Sequence, residues 1–147
     1  MLLLAFIITA IFIKAESFRY QSVKVIGQLN CGGKPASNIR VKLWDKDSGP
    51  DPDDLLDQSY TDSEGRFELT GVEMEFLMID PVLKVYHDCN KGVLPGKRKV
   101  SFAIPPKYVT QGKVARRTFN VGSLNLETIF PVSIPFQCKV IVQVVPI

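Results

Sequence analysis

The sequence predicts an all-β chain folded as an antiparallel β-sandwich of seven to eight strands, with at most one short helix. Three observations carry this. Apolar and polar residues alternate with a period of two along most of the chain, clusters of Gly, Pro, Asp and Asn punctuate the alternating runs, and helical stripes are few. The 147 residues, 46% hydrophobic and 22% charged, suit a folded globular protein. A chain of this size buries about 70% of the surface its unfolded form exposes, enough for one conventional core.

The leading stretch Met1 to Ile13 has no charged side chain and is too short to cross a hydrocarbon core of about 30 Å as a helix. It reads as a secretory signal over residues 1–15, cleaved after Ala15, which leaves a single domain over 16–147, with an uncleaved anchor as the competing reading. No later run has the length of a membrane-spanning helix, because Val140 to Val145 is brief and ends at Pro146. The mature chain is expected to be extracellular and not membrane-spanning.

The strands follow in order. Val23, Val25 and Leu29 alternate with Lys24, Gln28 and Asn30. Ile39, Val41 and Leu43 then alternate with Arg40 and Lys42. Phe67 and Leu69 are separated by Glu68, Leu83 and Val85 flank Lys84, and Val100, Phe102 and Ile104 continue the pattern, as do Phe119 and Val121. The last run sets Phe136, Cys138, Val140, Val142 and Val144 on one face. Turn signals lie between these runs at Gly32 to Pro35, Asp62 to Gly65, Gly92 to Gly96 and Pro105-Pro106. The one short helix fits only around Asn90 to Leu94, where Gly92 and Pro95 limit it to a turn or two.

The net charge of +3, or +2 once Lys14 leaves with the signal, is too small to indicate nucleic acid. Its distribution is uneven. Asp45 to Glu75 holds eleven acidic and two basic residues, a segment charge of −9, whereas Lys84 to Arg117 holds nine basic residues and only Asp88, giving +8. A dipolar molecule of this kind steers partners of opposite sign to each end. The basic segment offers Lys97, Arg98, Lys99, Arg116 and Arg117 as candidate anion-binding residues for a lipid headgroup, a sulfated glycan or an acidic receptor face. No aromatic residues interleave with these cations, so nucleic acid is not expected. Strand alternation divides them between two faces, and a plain solubilising surface explains them equally well.

The acidic segment offers Asp45, Asp47, Asp51, Asp53 and Asp54 as a recognition loop stiffened by Pro50 and Pro52. Its carboxylates are hard oxygen donors, but Gly49 and Leu56 break the EF-hand register, so no metal is expected. Cys31, Cys89 and Cys138 form an odd set: one pair and one remaining thiol in an oxidising compartment. Their spacing is too wide for a zinc knuckle, and His87 is the sole histidine. His87 and Cys89 share a strand face, and a buried histidine beside a disulfide is the simpler reading than a catalytic pair.

Several motifs in order carry a resemblance. Lys34-Pro35-Ala36, Val41-Lys42-Leu43-Trp44-Asp45, Asp51-Pro52-Asp53-Asp54-Leu55-Leu56, Tyr60-Thr61-Asp62-Ser63-Glu64-Gly65-Arg66-Phe67, Ile79-Asp80-Pro81, Tyr86-His87-Asp88-Cys89, Arg98-Lys99 and Leu124-Asn125-Leu126-Glu127 resemble the landmarks of the secreted transthyretin-like family of nematodes. The resemblance covers about residues 20–138 and implies two four-stranded sheets ordered DAGH and CBEF. Members often carry a further cysteine where Gly96 stands. Its absence implies that Cys138 is the unpaired thiol and that Cys31 and Cys89 form the disulfide, because the loop after strand A lies against the segment after strand E in that fold.

The resemblance does not extend to catalysis. The 5-hydroxyisourate hydrolases on this fold use histidines, an arginine and a C-terminal Tyr-Arg-Gly-Ser, whereas this chain ends Val144-Val145-Pro146-Ile147 and has no histidine in its first strand. The expectation is a cofactor-free extracellular binding protein, not an enzyme. Its partner is expected to be a receptor or other extracellular protein, or an anionic lipid or glycan. The alternative is a carrier that encloses a small apolar ligand, for instance at an oligomer interface.

Overall fold

The computed structural model describes residues 18–46, 52–90, 93 and 97–128, and the backbone of 140–145. The leader over 1–15, Asp47, Asp51, Cys138 and most of the stretch Asn90 to Leu94 lie outside the described residues.

Within them the chain is nearly all β, in the order β1 (Arg19–Cys31), β2 (Lys34–Pro35), β3 (Arg40–Asp45), β4 (Asp54–Tyr60), β5 (Arg66–Glu75), β6 (Pro81–His87), β7 (Lys97–Ala103), β8 (Thr110–Gln111), β9 (Thr118–Asn125) and β10 (Val140–Val145). A 3-10 turn at Pro106–Tyr108 is the helical element among the described residues. Eight of the strands have six or more residues, as the alternation predicted.

The strands form two sheets. In the first, β1 is central, with β5 antiparallel on one edge and β9 parallel on the other, while β2 and β8 add short antiparallel pairs to β1. The second is ordered β10-β7-β6-β3-β4 and is antiparallel throughout. This corrects the DAGH and CBEF order in one respect. The last strand does not pair with β9; it extends the other sheet, from Val140 opposite Phe102 to Val145 opposite Lys97. Alternation fixes which face a side chain takes, not which edge a strand joins, so the sequence pattern left this choice open.

The layers close on a core to which β1, β3, β5, β6, β7 and β9 contribute inward residues. Val23, Val25, Leu29, Val41, Leu43, Leu69, Leu83 and Val85 are fully buried. Each contributes roughly 1.5–3 kcal/mol relative to exposure. Gly27 sits at the irregularity between β1 and β9, where a Cβ would lie 2.3 Å from Val121 Cγ2 and 2.9 Å from Phe67 Cε1. A side chain there would push the two neighbours apart. Thr61 ties the loops at one end: its hydroxyl donates to the Ala36 carbonyl at 2.6 Å and accepts the Ile39 N–H at 2.9 Å. The layers are also joined covalently, since Cys31 at the end of β1 is bonded to Cys89 just after β6, with the Cα atoms 5.8 Å apart.

Candidate functional site

The outer face of the second sheet carries an array of cations and aromatic rings. In β3 the inward residues Val41, Leu43 and Asp45 are buried, which turns Arg40, Lys42 and Trp44 outward; in β6 the same parity turns Val82, Lys84 and Tyr86 outward. Register makes them neighbours. Arg40 stands between Tyr60 and Tyr86, Lys42 opposite Lys84, and Trp44 opposite Val82. Lys99 follows in the next strand, opposite Tyr86.

The contacts match that placement. Trp44 lies between two ammonium groups, with Lys84 Nζ 4.7 Å and Lys42 Nζ 5.3 Å from its ring centroid. Lys42 Nζ also stands 5.9 Å from the Tyr86 ring, and the Arg40 guanidinium is 5.9 Å from that of Tyr60. Each ring attracts a cation through its quadrupole, which holds the long side chains flat along the sheet. Lys84 is further held by Asp53, Nζ to Oδ2 2.9 Å. Burial raises the Tyr86 phenol above its usual pKa, with the Arg40 charge acting in the opposite direction, so the ring keeps its proton. The result is a shallow positive surface with partly desolvated cations, suited to anionic groups.

The structure distributes the sequence-predicted cations instead of gathering them. Lys97 and Lys99 share the outward parity of β7, so Lys99 joins the array. Arg98 has the opposite parity and stands opposite His87. Arg116 and Arg117 precede β9 in the other sheet, where the Arg117 guanidinium donates to the Lys107 carbonyl at 2.7 Å and the Arg116 backbone N–H to Thr110 Oγ1 at 3.1 Å. The sequence expectation missed Arg40, Lys42 and Lys84, and with them the aromatic interleaving, which arises across strands.

The acidic residues are likewise separated. Asp45 is buried at 2% exposure and accepts the Asp80 N–H on Oδ1 at 2.7 Å, so it braces the turn before β6. This corrects its assignment to an exposed recognition loop: as the last inward position of β3 it faces the interior. Asp53 pairs with Lys84, and Asp54 is exposed at the start of β4.

Cys31, Cys89 and Glu127 bring their ligand atoms within 4.8 Å of one another, but the two sulfurs are bonded to each other. His87 is 1% exposed, and neither ring nitrogen has a hydrogen-bond partner among the described residues. Burial pushes its pKa down to about 4, with Arg98 acting in the same direction and Asp88 opposing. Among the described residues this neutral, enclosed imidazole meets no free thiol, because Cys31 and Cys89 are bonded to each other.

A family model described as TTR-52: Transthyretin-like family matches residues 26–105, from within β1 to just past β7. Three proteins of Caenorhabditis elegans align over most of the chain. Transthyretin-like protein 46 is 58% identical over 115 residues, covering 78% of this chain and 64% of that protein. Transthyretin-like protein 33 is 47% identical over 118 residues, covering 80% and 82%, and transthyretin-like protein 5 is 45% identical over 111 residues, covering 76% and 80%. The chain thus spans somewhat less than two thirds of transthyretin-like protein 46 and about four fifths of the other two. With the sandwich, the motif order and these matches in agreement, the chain belongs to the transthyretin-like family.

Proposed function

We propose that this protein is an exported extracellular binding protein that captures anionic groups on the outer face of the β10-β7-β6-β3-β4 sheet. The observation that carries this reading is the interleaving of Arg40, Lys42 and Lys84 with Trp44, Tyr60 and Tyr86 on one exposed sheet face. Export is supported by the apolar leader and by a disulfide, a bond that forms mainly in oxidising compartments. Binding is favoured over catalysis because, among the described residues, both cysteines are spent in the disulfide. Charge complementarity then supplies encounter rate and selectivity, and the rigid sheet limits the entropy lost on docking.

A carrier of small apolar molecules calls for an enclosed apolar site. The groove between Ile26, Gln28, Phe67 and Asn120 is open and flanked by Arg66 and Glu68, so it favours the first reading.

The deciding experiment measures binding of the purified protein to heparin, to an acidic peptide and to vesicles containing an anionic lipid, at low and physiological ionic strength. At least one ligand should bind, weaken as salt rises and lose affinity in the Lys42→Gln/Lys84→Gln variant. The three arms separate a glycan, a protein and a lipid source of the charge. Failure of all three at low salt overturns the proposal.

A further inference from the structure

Register arranges the outer face of the second sheet in rows that run across the strands. One row reads Lys99 on β7, Tyr86 on β6, Arg40 on β3 and Tyr60 on β4, so that cation and ring alternate from strand to strand. The next row reads Ser101, Lys84, Lys42 and Gln58 in the same strand order. The backbone of β10 continues each row by one position, with Gln143 opposite Lys99 and Ile141 opposite Ser101. The two rows hold four cations and no carboxylate. With strands about 4.8 Å apart, the five strands carry them over about 19 Å, while the rows themselves lie only about 7 Å apart along the strands.

Carboxylates border this band along the strand direction. Asp53 comes two residues before Leu55, which stands opposite Trp44 beyond the Lys84 row, and it reaches back to pair with Lys84. At the other border Asp88 is exposed directly after the end of β6, past Tyr86. A broad anionic surface laid over the sheet, such as a membrane, meets Asp53 and Asp88 together with the cations. A long, narrow polyanion laid across the strands passes between them.

We propose that this band binds a linear sulfated polysaccharide lying across the strands. The inference rests on the anion-binding reading above and names its ligand. Sulfate esters accept charge-assisted hydrogen bonds from Arg40, Lys42, Lys84 and Lys99. An extended polymer engages cations on opposite sides of the sheet at once, since Arg40 and Lys99 are two strands and about 10 Å apart. Each further sulfate then binds as an intramolecular event, at the effective concentration set by the chain. Next to the cations, the exposed Tyr60 phenol and Gln58 amide offer donors and acceptors for sugar hydroxyls. A nucleic acid is also a linear polyanion, but its bases need open ring faces to stack on. Here Lys42 and Lys84 stand over the Trp44 ring, Lys42 over that of Tyr86 and Arg40 over that of Tyr60.

Heparin oligosaccharides of increasing length, titrated calorimetrically into the purified protein at low ionic strength, test the proposal. Affinity should rise with each added unit until the chain spans the band of about 19 Å, and then level off. Arg40→Gln/Lys99→Gln should lower it more than about tenfold for the longest chain, at a surface contribution near fivefold per cation. Position is tested by adding one carboxylate on the edge strand β4. Gln58→Glu, inside the band, should weaken the longest oligosaccharide about fivefold, and Leu55→Glu, opposite Trp44 and outside it, less than about twofold. These single changes at exposed side chains serve as the readout should the double variant lose its β circular dichroism.

Affinity that does not depend on length, equal losses from Gln58→Glu and Leu55→Glu, or binding at least as tight by an oligodeoxynucleotide of equal charge overturns the polysaccharide. If the oligosaccharides fail while the acidic peptide or the anionic vesicles bind and respond to Lys42→Gln/Lys84→Gln, this inference falls and the anion-binding reading stands. If all of them fail, both fall.

Discussion

Lys84 Nζ lies 2.9 Å from Asp53 Oδ2 while standing 4.7 Å from the centroid of the Trp44 ring, so one ammonium group serves a carboxylate and an aromatic face together. An arriving anion competes with Asp53 for that charge. Asp53→Asn should therefore raise affinity for heparin several-fold, and Lys84→Gln should lower it about fivefold, the equivalent of roughly 1 kcal/mol per cation. Trp44 is the sole tryptophan, so its emission reports occupancy of this face directly. Equal heparin affinity in wild type and both variants would show that the anion binds elsewhere.

The disulfide closes a loop with a sequence separation of 58 between Cys31 and Cys89. The chain-entropy model assigns about 4 kcal/mol to a loop of that length, and removing a native bridge from a small secreted domain typically costs about 2–5 kcal/mol. Cys31→Ala/Cys89→Ala should lower unfolding free energy in urea by that amount while retaining the β circular dichroism, because Cys89 and Cys31 stand at one end of a core whose other members, such as Val23, Leu43, Leu69 and Val85, remain in place. Unchanged stability would mean that Asn125, which accepts the N–H groups of Gly32 and Glu127 at 3.2 and 3.1 Å, secures this end alone.

Most of the sandwich was legible because alternation fixes faces. Val41 and Leu43 inward require Arg40 and Lys42 outward, and the same reasoning on β6 turns Lys84 and Tyr86 outward. What alternation does not fix is adjacency. That Lys84 and Lys42 are cross-strand neighbours flanking Trp44 follows from β3 pairing with β6, a contact between segments some forty residues apart in the chain. The same lack of adjacency information hid the docking of β10 onto β7. The exposed Val72, Met74 and Phe76, at and just past the end of β5, had a signal in the sequence, since they fall out of phase with Phe67 and Leu69. A bulge and an exposed apolar face give the same phase change, and only the unbroken register with β1 separates them.

His87 gives the fold a defined response to acid. Burial and Arg98 hold its folded pKa at about 4, against 6.5 when exposed. Between these values the unfolded chain binds a proton that the folded chain refuses, so stability is constant above the upper value and falls as pH drops through the window. The loss grows to at most roughly 3 kcal/mol near the lower value, at about 1.36 kcal/mol for each unit of pKa difference. Replacing a buried imidazole that has no hydrogen-bond partner among the described residues with an apolar group of similar size is close to neutral at pH 7. His87→Leu should therefore match the wild type at neutral pH and exceed it progressively from pH 6.5 to about 4. Parallel stability profiles for the two proteins across that range would remove His87 as the cause.

The β4–β5 turn places the most stringent demand on a single residue. Gly65 has φ of +74°, and a Cβ there would lie 2.2 Å from the Leu29 carbonyl oxygen, which already accepts the Ala36 N–H at 2.8 Å. The turn cannot move away, because Asp62 Oδ1 accepts the N–H groups of both Glu64 and Arg66, and the Gly65 carbonyl accepts the Leu29 N–H at 2.8 Å. Gly65→Ala combines a left-handed backbone, at about 1–3 kcal/mol, with displacement of the end of β1. It should lower stability by more than about 2 kcal/mol. Gly33→Ala is the matched control, since no atom lies within 4 Å of the position its Cβ would take and its φ is not positive. Urea unfolding of the pair distinguishes the cases: equal midpoints would show that the Asp62 turn relaxes to admit a side chain and that Gly65 is not what fixes β5 against β1.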